Sequence, residues 1–298
     1  MSAPDALQSA PADFTPIADA RRAGDTGRTG CALAEQALAG LPKTTRMPVL
    51  FLGHGSPTNA LEDNAFTRRL VRLAEELPRP AAVLVVSAHW LTPGETRVLC
   101  AAEPRTIHDF WGFPDELYEI HYDAPGHPGV GTAVAALTGA TTDTEWGFDH
   151  ASWTLLRHMY PEANVPVLEV SLDAAAGPRA HVDVARLLAP LRERGVLVLG
   201  SGNIVHNLRA IDWNTPHGGY DWAVGFDEWA KDRIEAGDVE ALADYQSLAP
   251  EPRRSVPTNE HYLPLLYAMA LREPGEPVTS IYEGMELGSL SMRCVRIG

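Results

Sequence analysis

The chain has 298 residues, 45% of them apolar and 21% charged, which fits one large or two small soluble domains with ample length for a buried core. Acidic residues outnumber basic ones 39 to 24, and a net charge of −15 argues against nucleic acid or an anionic membrane as the main partner. No run approaches the ~18 apolar residues of a membrane helix, and three cysteines without a CxxC spacing argue against disulfide staples or a thiolate zinc site, so a reducing cytoplasm is the expected location.

Residues 1–46 differ from the remainder. They are rich in Ala, Gly, Asp and Arg, and glycines 24, 27 and 30 interrupt any helix longer than Cys31–Leu41. We expect a mobile tail over 1–46, followed by one domain over 47–298. The opening Met1-Ser2-Ala3-Pro4-Asp5 has neither the basic start nor the apolar core of a signal peptide.

The first strand signal is Val49-Leu50-Phe51-Leu52, an apolar run bounded by Gly53-His54-Gly55. Apolar residues at helical spacing (Phe66, Leu70, Leu73, Leu77) predict a helix that Pro78 and Pro80 stop. A second strand, from Ala81 to Ser87, is followed by Ala88-His89-Trp90, and a third is expected over Arg97–Ala101. Residues 103–128 read as a loop-rich insertion whose aromatics favour packing over disorder. Helices over Gly129–Leu137 and Ala151–Tyr160 flank the loop Trp146-Gly147-Phe148-Asp149-His150. Then come a strand over Val165–Ser171, an amphipathic helix over Arg179–Arg194, and a strand over Val196–Ser201 that leads to His206. Helices over Ala223–Ala236 and Glu260–Leu271, with strands over Thr279–Tyr282 and Leu290–Ile297, close the chain. This alternation predicts an α/β fold: a single domain with a mixed, largely parallel sheet and helices on both faces.

His54, His89 and His206 each follow an apolar strand, and open α/β sheets place their chemistry at strand ends. One such histidine alone reads as a hydrogen-bonded residue at the core edge. Three at equivalent positions point to a metal ion, for which neutral imidazole is a common ligand. His261 reads equally as a helix-start histidine or a ligand, with Glu260 beside it as a possible carboxylate. His150 follows a candidate capping Asp149; at a helix N-terminus its protonated form is disfavoured, which suits a proton shuttle, although an exposed first-turn histidine fits as well. His127, His158, His181 and His217 have surface readings. No GxSxG, GxxxxGK[ST] or HExxH motif occurs, and the glycines of Gly200-Ser201-Gly202 read as sites of close backbone approach rather than a nucleophile elbow.

Several stretches together resemble the 4,5-DOPA extradiol dioxygenase family, within the class III extradiol ring-cleavage enzymes related to protocatechuate 4,5-dioxygenase. They include Leu52-Gly53-His54-Gly55-Ser56-Pro57, Ser87-Ala88-His89-Trp90, Ile107-His108-Asp109-Phe110, Trp146-Gly147-Phe148-Asp149-His150, His206-Asn207-Leu208-Arg209 and Glu260-His261-Tyr262-Leu263-Pro264-Leu265. The resemblance spans Met47 to Gly298. It implies a class III extradiol dioxygenase-like fold and opening of the ring of DOPA or a similar substituted catechol with O₂ to a muconic semialdehyde. The family's metal histidines fall on His54, His89, His206 and His261; His150 matches the acid/base histidine of the wider group, and His206 fits either a fourth ligand or the base. Iron(II) is the implied cofactor, and zinc fits the same site. Recognition of an amino-acid side chain on the catechol calls for a charged clamp, for which Arg105, Asp109 and Arg209 are candidates. Two other functions fit the histidines: a zinc hydrolase and a non-catalytic metal-binding protein.

Overall fold

The computed structural model describes residues 34–298. Eight strands form one sheet: β1 (Val49–Gly53), β2 (Ala82–Thr92), β3 (Arg97–Leu99), β4 (Thr141–Asp143), β5 (Val167–Asp173), β6 (Val196–Gly202), β7 (Val278–Tyr282) and β8 (Cys294–Ile297). Their order across the sheet is β4-β3-β5-β2-β6-β1-β8-β7. The central strands β5, β2, β6 and β1 pair in parallel, while β8 and β7 close one edge antiparallel. β1 and β6 are buried throughout, as the near-continuous apolar runs of parallel strands require. The mixed, largely parallel α/β sheet is as expected.

Six longer helices surround it: α1 (Ala65–Glu76), α2 (Pro128–Thr138), α3 (His150–Met159), α4 (Pro178–Arg186), α5 (Asp221–Ala236) and α6 (Leu263–Ala270). α1 starts at a capping box in which Asn64 and Thr67 satisfy each other's backbone N–H, and it buries Phe66, Leu70 and Leu73 one turn apart. Neighbouring residues of β6 show that helices cover both faces. Ser201 Oγ donates to the Ala151 carbonyl of α3 at 2.7 Å. Gly200 and Gly202, pointing the other way, face the turn into α6. A Cβ on Gly200 would stand 2.3 Å from the Pro264 carbonyl oxygen, and one on Gly202 2.1 Å from that of His261. These are the close backbone approaches read from the sequence, and they let the 261–264 turn lie directly on the sheet.

Four expectations change. The helix predicted over Arg179–Arg194 breaks after Arg186 into a 3₁₀ turn at Ala189–Arg194, because Pro190 has no N–H to donate and its ring crowds the carbonyl four residues back. β2 does not stop at Ser87 but runs to Thr92 with a register shift between Val86 and Leu91, so His89 lies within the strand. The helix after Glu260 begins only at Leu263, leaving His261 in the preceding turn. His181 is buried rather than on the surface, its ring nitrogens 3.2 Å from the Tyr267 hydroxyl and 3.2 Å from the Asp173 carbonyl.

Residues just before Met47 also pack against the domain. Leu41 is buried in the core, its carbonyl accepts from Arg194 at 2.8 Å, and Thr44 N–H donates to the Glu193 carbonyl at 2.9 Å. Arg46 bridges Glu193 and Glu273. Of the helix expected over Cys31–Leu41, residues 34–39 are helical; residues 1–33 lie outside the described residues. A chain starting at Thr45 is therefore expected to be less stable than one starting at Ala34, by about 2 kcal/mol for the lost Leu41 burial. Equal urea midpoints for the two would show that this stretch contributes nothing.

Candidate metal centre

β2, β6 and β1 lie side by side, with Ser201 of β6 registered opposite Ser87 of β2 and Leu52 of β1. Three histidines therefore emerge at neighbouring carboxyl ends. His54 follows β1 directly and is buried, His89 occupies the last third of β2, and His206 lies just beyond β6, with its N–H on the Ser255 carbonyl at 3.0 Å. His150 is the first residue of α3, and His261 comes from the turn laid on Gly202.

All five rings meet. The His54 centroid is 5.2 Å from that of His89, 5.4 Å from that of His150 and 5.4 Å from that of His261. His89 stands 4.0 Å from His150 and 4.9 Å from His261, while His206 stacks flat on His261 at 3.5 Å. The ligating atoms form two tight groups, His54/His89/His150 and His206/Glu260/His261, each within 4.8 Å.

Hydrogen bonds behind the rings set which nitrogen faces inward. Ser201 Oγ gives its own proton to Ala151, so at 3.1 Å it can only accept from His54 Nδ1. That also removes Ser201 as a nucleophile, since its proton is directed away from the imidazole. The Asp109 carboxylate accepts from His89 Nδ1 at 3.1 Å, and Glu260 Oε1 from His261 Nδ1 at 3.2 Å. Each of these three rings then presents Nε2 as a bare lone pair. The Nε2 atoms of His54 and His89 lie only 3.3 Å apart, a separation that either a proton shared between the two nitrogens or a cation bound by both accounts for. Two imidazole nitrogens bound ~2.1 Å from one ion stand roughly 3–3.4 Å apart at octahedral to tetrahedral angles. The donor set therefore fits a divalent metal.

Electrostatics agree with neutral ligands. Burial, reinforced by the neighbouring imidazoles, holds His54 and His261 well below the usual histidine range, His150 at about 4 and His206 at about 3. His89 is the exception. Burial lowers it, but the Asp109 hydrogen bond and the charges of Asp149, Asp109 and Glu260 raise it on balance.

Sequence reasoning missed part of the support. Asp109 is not free to clamp a substrate: Oδ2 accepts from His150 Nδ1 at 2.8 Å as well as from His89, and Oδ1 from the His150 N–H at 2.9 Å. Arg105 and Arg209 are exposed. Glu260 lies behind His261, its Oε1 also accepting from Thr258 at 2.8 Å. Behind His89 and His150 sits a fully buried pair, Asp149 and Glu169. Ser87 Oγ donates to Asp149 Oδ2 at 2.6 Å, Trp146 Nε1 donates to Glu169 Oε2 at 2.9 Å, and Ser152 donates to Glu169. Burial pushes Asp149 up to about 6, helped by the charge of Asp109, and raises Glu169 well above the carboxylate range. The one signal for Glu169 was a lone acid inside the apolar run Val167-Leu168-Glu169-Val170.

The family model described as the catalytic LigB subunit of aromatic ring-opening dioxygenase matches residues 44–293. The chain is 47% identical over 261 residues to a protein of Escherichia coli K12 named 4,5-DOPA dioxygenase extradiol, covering 86% of this chain and 96% of that one. Proteins of the same name from Mirabilis jalapa and Portulaca grandiflora are 36% and 37% identical over 74% and 80% of this chain, and 84% and 92% of their own. The crystal structure of an uncharacterized Escherichia coli K12 protein superposes with a TM-score of 0.74 at 41% identity, over 85% of this chain and all of that one.

The lowered histidines make the metal-free protein acid-sensitive. An unfolded histidine takes a proton near pH 6.5, whereas His150 and His206 refuse one until about 4 and about 3. Unfolding therefore binds protons, and stability falls as pH drops below about 6.5. At pH 5 these two residues cost about 2 kcal/mol each, and His54 and His261 add in the same direction; His89, Asp149 and Glu169, all raised, run the other way and offset part of the loss. Denaturant midpoints of metal-free protein should drop between pH 7.5 and pH 5; an unchanged or rising midpoint would contradict the burial of uncharged imidazoles.

Proposed function

The chain belongs to the LigB family of catalytic subunits of aromatic ring-opening dioxygenases and is an extradiol ring-cleaving enzyme, and on that premise we propose that it uses iron(II) and O₂ to open the ring of DOPA or a similar substituted catechol. The observation that carries the metal assignment is the convergence of Nε2 lone pairs whose Nδ1 partners are fixed by Ser201, Asp109 and Glu260. The substrate class rests on the relatives named for DOPA. A cytoplasmic location belongs to the same proposal.

We read His54, His89 and His261 as the ligands, with His206 beside them as fourth ligand or base. Iron(II) bound there supplies coordination for the two catechol oxygens and O₂ together with redox capacity, which zinc lacks. The protein's own residues do the rest. His150 holds its Nδ1 proton on Asp109, so Nε2 is the atom that takes a proton from a catechol hydroxyl and later returns it. Its low pKa keeps that atom in the base form at neutral pH. Phe110, buried with its ring 5.7 Å from that of His150, gives that side of the site an apolar wall.

A second reading, with His150 as the third ligand in place of His261, is favoured by the 4.8 Å grouping of His54, His89 and His150. Alanine variants of the five histidines separate the two. Loss of metal is expected for His54→Ala, His89→Ala and His261→Ala. His150→Ala should keep metal and bind catechol but turn over ~10²–10⁴-fold more slowly; metal lost there and kept in His261→Ala would support the second reading. For His206→Ala, retained metal with lost rate makes it the base, and lost metal makes it the fourth ligand.

Anaerobic loading with iron or zinc, followed by an oxygen-electrode assay with DOPA and simpler catechols, tests the proposal. Oxygen uptake should require iron. Equal ring cleavage by zinc-loaded, iron-free protein, or zinc-dependent ester or amide hydrolysis without oxygen uptake, would overturn it.

A further inference from the structure

The loop that carries Asp109 lies outside every ligand-bearing element, yet it is tied to the fold by hydrogen bonds and by aromatic packing. Ile107 N–H donates to the Phe148 carbonyl at 2.7 Å, and the Ile107 carbonyl accepts from Trp153 Nε1 at 2.9 Å. Phe110 packs at 5.2–6.0 Å against Phe113, Tyr118 and Trp153. The residue so held meets three donors. Oδ2 takes the Nδ1 protons of both His89 and His150, and Oδ1 takes the backbone N–H of His150.

We propose that Asp109 is a positioning residue that couples the metal ligand to the proton-transfer residue, one carboxylate oxygen fixing the ring orientation and tautomer of His89 and His150 together. The inference rests on the assignment of His89 as ligand and His150 as acid/base.

The chemistry requires a carboxylate. Ser201 and Glu260 each serve one ring, whereas Asp109 must accept from two rings and a backbone amide. Only an ionised carboxylate, an acceptor at both oxygens, can do so. Asparagine has the same shape but a single acceptor oxygen. If that oxygen faces the rings, the NH₂ confronts the His150 N–H. If the NH₂ faces the rings, both Nδ1 protons must move to Nε2, the atom each ring needs free. Either way the metal ligand and the base are disturbed by one substitution.

The test is a double-mutant cycle of Asp109→Asn with His150→Gln, read by two measurements. Zn²⁺ affinity is measured by competition with a chromophoric chelator, and kcat and KM by oxygen uptake of iron-loaded protein. Asp109→Asn should weaken Zn²⁺ binding about 10–100-fold and lower kcat by a similar factor with KM little changed. With His150→Gln already present, Asp109→Asn should lower kcat of the metal-saturated protein by less than about twofold more, while the loss of Zn²⁺ affinity persists in full. Zn²⁺ affinity equal to wild type, or the same further loss of kcat in both backgrounds, would overturn the proposal. Should Asp109→Asn fail to fold by near-UV circular dichroism, Asp109→Glu, which shifts the charge by one methylene, must also lower both quantities; unchanged Zn²⁺ affinity there would overturn it equally. The Zn²⁺ arm needs no turnover. A wild type that takes up no oxygen with any catechol would defeat the functional reading and leave that arm to decide on Asp109.

Discussion

The centre depends on what lies behind its imidazoles. A histidine has two nitrogens, and a metal site needs one of them bare. Here Ser201, Asp109 and Glu260 each claim an Nδ1 proton, so Nε2 of His54, His89 and His261 is left as a lone pair. Burying several uncharged imidazoles around one point leaves unpaired lone pairs in a poorly solvated space, an arrangement that is costly unless a cation fills it. The lowered pKa values express the same condition, and the 3.3 Å approach of two Nε2 atoms is compatible with it.

Geometry follows from the sheet. In a parallel sheet the carboxyl ends of adjacent strands open on the same edge, so β1, β2 and β6 deliver His54, His89 and His206 without any long loop to position them. The two remaining histidines come from opposite faces. α3 brings His150, fixed to the sheet by Ser201 on the Ala151 carbonyl, and the turn before α6 brings His261, seated where Gly202 leaves no side chain. Alternation along β6 thus serves both at once: Ser201 faces α3, while Gly200 and Gly202 face α6.

Much of this was legible in the sequence. An apolar run that ends in glycine and histidine is a strong signal, because burial, strand direction and site position all follow from it, and Gly200 and Gly202 were readable as close approaches. The misses share a cause. Strand and helix ends are decided by single residues against tertiary contacts, hence the break near Pro190, the extension of β2 past His89 and the start of α6 after His261. Asp109 carried no local signal of its role, since its partners are 20 and 41 residues away in sequence. Its charge suggested a substrate clamp, whereas the fold turned it inward. Leu41 shows the same limit: one leucine at the end of an alanine- and leucine-rich stretch gives no sign that it docks on the Arg192–Arg194 turn.

The most direct test of the account is a crystal structure of the metal-loaded protein with anomalous diffraction collected at the metal edge. The account predicts one anomalous peak within bonding distance of Nε2 of His54, His89 and His261, with Nδ1 of each ring still on Ser201, Asp109 and Glu260. A peak coordinated by Nδ1 of any of these rings, or bonded to His150 in place of His261, would contradict it.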